Sequence, residues 1–133
     1  MPRFSFLLLL AALFAAGTPG FREIELPFVL ENSASPEKYL PETMAGGVAA
    51  FDYNNDGRPD IFFANGAELP SLKKTGAKFS NRLFRNDGKG RFTDVTDEAV
   101  LAGSGYSIGV AAADFDNDGH VDLFVTGVNE NHL

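Results

Sequence analysis

The chain contains no cysteine and no tryptophan, and only two of its 133 residues are histidine. Without cysteine no disulfide framework can take the place of a hydrophobic core. Only His120 and His132 offer an imidazole, and no G-x-S-x-G elbow is present, so a nucleophile with its base is not in evidence. Basic charge is scarce too: 11 Lys and Arg stand against 18 Asp and Glu, for a net charge of −7. That balance disfavours a nucleic-acid partner, which would want clustered Lys and Arg against its phosphates. Phe51, Phe62, Phe63, Phe84, Phe92 and Phe124 could imitate a base-stacking platform, but they fall on apolar strand-like segments and read as core. No apolar run reaches the roughly 20 residues that a membrane-spanning helix needs.

The longest such run, Phe4 to Ala16, follows Arg3 and ends at Ala15-Ala16-Gly17. A short positive region, an apolar stretch and small residues at its end describe a secretory leader. Residues 1–17 are therefore expected to be a signal peptide, which leaves no membrane span after cleavage and places the protein outside the cell or in the periplasm. Its removal takes Arg3 and no other charge.

What the chain has instead is a repeat. Gly47 to Phe63 and Gly109 to Val125 align at 10 of 17 positions, 62 residues apart. Each copy carries D-x-[DN]-x-D-G-x-x-D. A repeat of this period with a polar loop in register points to a repeat architecture. Calcium takes six to eight oxygens at about 2.3–2.6 Å, and alternate residues of a tight loop can supply them. In the first copy the side chains are Asp52, Asn54, Asp56 and Asp60; in the second they are Asp114, Asp116, Asp118 and Asp122. Gly57 and Gly119 allow the sharp turn. Arg58 and His120 stand where a loop of this type contributes its main-chain carbonyl. Carboxylates crowded this closely repel one another unless a cation compensates them, whereas Asp, Asn and Gly also make turns without any ion. Four Asp in the second loop against three Asp and an Asn in the first predict tighter binding by the second. Magnesium suits the loops less well, because it prefers rigid octahedral geometry and retains water.

An EF-hand loop would close with a bidentate Glu, but Phe63 and Val125 occupy that position. The flanks, Val48–Phe51 and Ile61–Ala64, then Val110–Ala113 and Val121–Val125, read as strands, so each loop joins a hairpin. A second hairpin, Arg82–Asn86 and Arg91–Val95, turns at Asp87-Gly88-Lys89-Gly90. Residues 18–46 form an entry segment with one strand, Ile24–Leu30, interrupted by Pro27. Residues 47–107 make a first repeat of four strands, and 108–133 a second, truncated one whose Asn131-His132-Leu133 matches Asn81-Arg82-Leu83. The long loop Asn65–Ser80 carries Lys73, Lys74 and Lys78, which read as a solvated patch. Asp94, Asp97 and Glu98 follow a strand end and read as exposed or capping groups rather than an acid–base pair. The fold class expected is all-β, with β-propeller-type repeats of four-stranded antiparallel blades, about one and a half of them. Closing a propeller takes several blades, so the remaining blades of a longer parent chain are expected partners.

These hairpins, with Asn81-Arg82-Leu83-Phe84-Arg85-Asn86-Asp87-Gly88 and Arg91-Phe92-Thr93-Asp94-Val95-Thr96, resemble the FG-GAP/VCBS repeats of integrin-α-like propellers. The lead-in Glu37-Lys38-Tyr39-Leu40-Pro41-Glu42-Thr43-Met44-Ala45-Gly46-Gly47 is similar to bacterial secreted proteins of the cartilage acidic protein type, which often end in an ASPIC/UnbV domain. The resemblance covers residues 24–133. It implies a calcium-stabilised seven-bladed propeller with the Asp and Asn positions above as ligands, although Gly-Val-Ala-Ala stands in place of the literal Phe-Gly…Gly-Ala-Pro signature. The function expected is a non-catalytic interaction or adhesion module for a protein or glycan partner. The alternative is the propeller support of an extracellular glycan-processing enzyme whose catalytic part lies elsewhere.

Overall fold

The computed structural model describes residues 20–133; the expected leader, 1–17, lies outside them. The fold is all-β. Strands β1 (Val48–Phe51), β2 (Asp60–Phe63), β3 (Arg82–Gly88) and β4 (Arg91–Asp94) form an antiparallel sheet in sequence order. Strands β5 (Ser107–Ala113), β6 (Asp122–Gly127) and β7 (Asn131–His132) form a second, also antiparallel and in order. The repeat is structural as well as sequential. Phe63 pairs with Arg82 in the first sheet and Val125 with His132 in the second, so Asn131-His132 opens the third strand where the alignment placed it.

Alternation along the strands sorts the side chains onto two faces. Ala49, Phe62 and Leu83 are register partners across β1, β2 and β3, and they share one face with Phe51 and Ala64. That face packs against Val110, Ala112, Leu123 and Val125 of the second sheet. The inner strands β1 and β5 approach most closely, and the Gly47 N–H reaches the Ile108 carbonyl at 2.9 Å.

The opposite face of the first sheet is covered by the entry segment. The Phe28 ring stacks on Phe63 at 4.6 Å between centroids, and Phe63 meets Phe84 edge-on at 6.0 Å. Contrary to expectation, residues 24–30 form no strand. Pro27 lacks an N–H, and the Phe28 N–H turns back to the Leu26 carbonyl at 2.8 Å. The segment is held by a side chain instead. The buried Asn65 amide accepts from the Glu31 N–H at 2.8 Å and donates to the carbonyls of Val29 at 3.3 Å and Lys78 at 3.0 Å. A 3₁₀ turn over Leu40–Thr43 follows, its start closed by Glu42, which accepts from the Tyr39 N–H. Tyr106, also buried, donates its hydroxyl to the Pro41 carbonyl at 2.9 Å and so ties the chain just ahead of β5 to this segment.

Two smaller expectations shift. The second hairpin turns more tightly than the expected Asp87-Gly88-Lys89-Gly90 connection, because β3 runs on to Gly88, which still pairs with Arg91. Lys89 and Gly90, at φ 55° and 73°, make the two-residue turn between them. Among the six phenylalanines, Phe51, Phe62 and Phe84 are buried, whereas Phe124 is exposed on the outer face of the second sheet.

Candidate metal centre

The two Asp-rich loops adopt one conformation. Asn55 and Gly57 have φ of 58° and 82°; Asn117 and Gly119 have 60° and 88°. These left-handed positions favour Asn and Gly. The hydrogen bonds repeat as well. Asp52 accepts from the N–H groups of Asp56 at 3.0 Å and Gly57 at 2.7 Å, as Asp114 does from Asp118 at 3.1 Å and Gly119 at 3.0 Å. Asp56 accepts from the Arg58 N–H at 2.9 Å, and Asp118 from the His120 N–H at 2.8 Å. At the far end Asp60 accepts from the Tyr53 N–H at 2.8 Å and Asp122 from the Phe115 N–H at 2.9 Å. Each loop is thus a set of carboxylate-capped turns, and among the described residues only the second brings three acids together on one centre.

In the second loop that convergence meets the requirement of a cation. Asp114, Asp116 and Asp122 each offer a carboxylate oxygen, and these oxygens lie within 4.8 Å of one another. Oxygens held at about 2.4 Å from a shared calcium ion stand no further apart than this. A carboxylate oxygen that accepts one N–H keeps a second lone pair for a metal. Asp118 lies in the same turn, next to His120, and the whole loop is open to solvent apart from the half-buried Asp122.

The first loop holds the same positions differently. Asp60 is fully buried, and its second oxygen accepts from the Asn86 N–H at 2.6 Å. Asn54 donates to Asp56 Oδ2 at 2.8 Å. The Arg58 guanidinium joins the same oxygen and also donates from Nε to the Asn86 carbonyl at 2.7 Å. Burial alone would raise the Asp56 carboxyl. The Asn54 and Arg58 hydrogen bonds and the charges of Arg58 and Arg85 outweigh it and hold the group below the usual carboxylate range. The loops touch at their tips, where Asn55 Nδ2 lies 3.1 Å from His120 Nδ1.

The FG-GAP-like repeat family matches residues 52–125, more than half of the chain. The chain belongs to that family. The FG-GAP-like match begins at the first aspartate of the first loop and ends within β6, so it takes in both loops and the hairpin between them. No curated protein and no solved structure matches the chain.

Several residues of this FG-GAP-like pair escape a motif reading. Asn55 and Asn117 occupy the left-handed position of each loop, and their identity in both copies was the available signal. Lys74, expected in a solvated patch, instead donates to three main-chain carbonyls, of Asn65 at 2.8 Å, Gly66 at 2.8 Å and Phe79 at 2.7 Å. The loop from Asn65 to Ser80 is gathered around that ammonium. Lys78 pairs with Glu31 at 3.6 Å and lies 4.5 Å from the Phe79 ring centroid. Asp94 takes a capping role: it accepts from the Thr96 N–H at 3.0 Å and pairs with Arg82 at 3.1 Å. Among the described residues no helix is long and apolar enough to cross a membrane.

Proposed function

We propose that this FG-GAP-like protein is a secreted calcium-binding β-propeller repeat protein of the cartilage acidic protein type, acting as a non-catalytic interaction or adhesion module. The observation that carries this reading is the three-carboxylate cluster of Asp114, Asp116 and Asp122, formed in a loop whose conformation the first repeat duplicates. Asp118 and the His120 carbonyl complete the second site; Asp52, Asn54, Asp56, Asp60 and the Arg58 carbonyl are the corresponding groups of the first. Calcium would be structural, offsetting carboxylate repulsion at the turn between paired strands. The two imidazoles lend no support to catalysis, since His120 faces Asn55 and His132 faces Glu130. The surface offered to a protein or glycan partner is the Asn65–Ser80 loop, held in place from within by Lys74.

The test is a thermal melt of the purified chain in millimolar calcium and again in chelator. A ligand specific to the native state stabilises by about 2.7 kcal/mol at a hundredfold excess over its dissociation constant. A higher melting temperature in calcium is expected, and Asp114→Ala together with Asp116→Ala should reduce the increase. A cooperative melt indifferent to calcium would sink the metal reading.

A further inference from the structure

The two loops agree in backbone and in four hydrogen bonds, and differ at two positions that bear on charge. Asn54 stands where the second loop has Asp116, and Arg58 stands where it has His120. The Arg58 side chain does not trail into solvent. Its Nη2 sits 2.5 Å from Asp56 Oδ2, while its Nε is fixed on the Asn86 carbonyl at 2.7 Å. Asn86 is itself anchored, donating from Nδ2 to the Pro59 carbonyl at 3.0 Å and from its N–H to Asp60 at 2.6 Å. The guanidinium is therefore pinned between the loop and β3, on the oxygen side of a carboxylate that a calcium ion would need. In the second loop the His120 ring turns to Asn55, and none of the four aspartates has a basic side chain in hydrogen-bonding or ion-pairing contact among the described residues.

We propose that Arg58 is the resident cation of the first loop, so that the pair of loops takes a single calcium ion, in the second. This rests on the calcium reading above and sharpens it. A planar guanidinium presents fixed donors to a carboxylate and stays charged at every accessible pH, so it neutralises the loop permanently. An ion entering the first loop must displace it and meets three carboxylates. An ion entering the second displaces no side-chain cation and meets the clustered carboxylates of Asp114, Asp116 and Asp122, with Asp118 a fourth acid in the same turn. The first hairpin is thus set without metal, and the second is the one that calcium controls.

Calcium titrations by calorimetry, on the purified chain and its variants, separate the possibilities. Wild type should bind one ion. Arg58→Gln, at a half-exposed side chain, should bind two, and Arg58→Lys, which keeps the charge, should remain at one. Asp116→Asn with Asp118→Asn should bind none, because the first loop still carries Arg58. Circular dichroism of each variant verifies that it is folded. Two ions in wild type, or one in Arg58→Gln, would overturn the proposal and leave the calcium reading intact. No ion in any variant would overturn the calcium reading and this proposal with it.

Discussion

Gly47 donates its N–H to the Ile108 carbonyl at 2.9 Å, and a Cβ added to Gly47 would stand 2.8 Å from the Gly109 Cα. The inner strands of the two repeats therefore touch backbone to backbone, and both copies keep Gly-Val-Ala-Ala at this point. The small residues let the sheets approach, and the larger Phe62, Leu83 and Val125 fill the wedge that opens away from them.

Gly47→Val should separate the sheets. Overpacking of a close contact destabilises by about 1–3 kcal/mol. Gly57→Ala makes a useful comparison: nothing lies within 4 Å of the added carbon, but φ is 82°. Its effect should be confined to backbone strain of about 1–2 kcal/mol. Urea unfolding with tryptophan-free detection by far-ultraviolet circular dichroism measures both. Equal stability of Gly47→Val and wild type would show that the two sheets do not meet as described.

The strands of the two hairpins could be read in advance because short apolar segments flank strong turn sequences, and both signals are local. The loops were legible for the same reason, since one turn of the chain holds all their acids. Arg58 was not, although its position was known. A motif treats that residue as a main-chain carbonyl, and only the fold brings Asn86 of β3 within reach of its Nε. Ile24–Leu30 looked like a strand because it is apolar, but strand formation needs a partner edge. Its groups found the Asn65 amide and its Phe28 ring found Phe63. Lys74 misled for a related reason: a lysine amid polar residues reads as solvated until the chain folds three carbonyls around it.

Asp60 should matter for stability whether or not metal is bound. It is fully buried and receives the N–H groups of Tyr53 and Asn86. Asp60→Ala leaves both donors without a partner, and each unsatisfied buried group costs about 1–3 kcal/mol. Asp122→Ala loses the single Phe115 bond at a half-exposed site and should cost less. Both variants are compared by urea unfolding in chelator, so that calcium does not contribute. The order Asp122 greater than Asp60 would contradict the assignment of Asp60 as the structural acid of the pair.

Phe28 tests whether the entry segment belongs to the folded unit. Its half-buried ring stacks on Phe63, which in turn meets the buried Phe84. Aromatic pairs contribute about 0.5–1.5 kcal/mol beyond the area they bury. Phe28→Ala should lower the unfolding midpoint and raise the hydrogen-exchange rate of the Glu31 N–H, which depends on Asn65. A change in neither would mean that the segment lies on the sheet without stabilising it.

Lys74 supplies a pH dependence of definite sign. Burial pushes its ammonium down to about 8, with Glu130 acting in the opposite direction. An unfolded chain holds that proton up to the ordinary lysine value of about 10.4. Below pH 8 both states are protonated, and the buried charge weighs fully against the folded state. Between about 8 and 10.4 the unfolded state binds the extra proton, so stability must rise with pH across that window. The gain is limited, because a neutral amine has only two N–H groups for the three carbonyls. Lys74→Met removes the titration while keeping a stem of similar length, and the other lysines and tyrosines are common to both proteins. The difference in unfolding free energy between wild type and Lys74→Met should therefore shift toward wild type as pH climbs from 8 to 10. Parallel curves would show that the carbonyl cage holds the ammonium as firmly as water does.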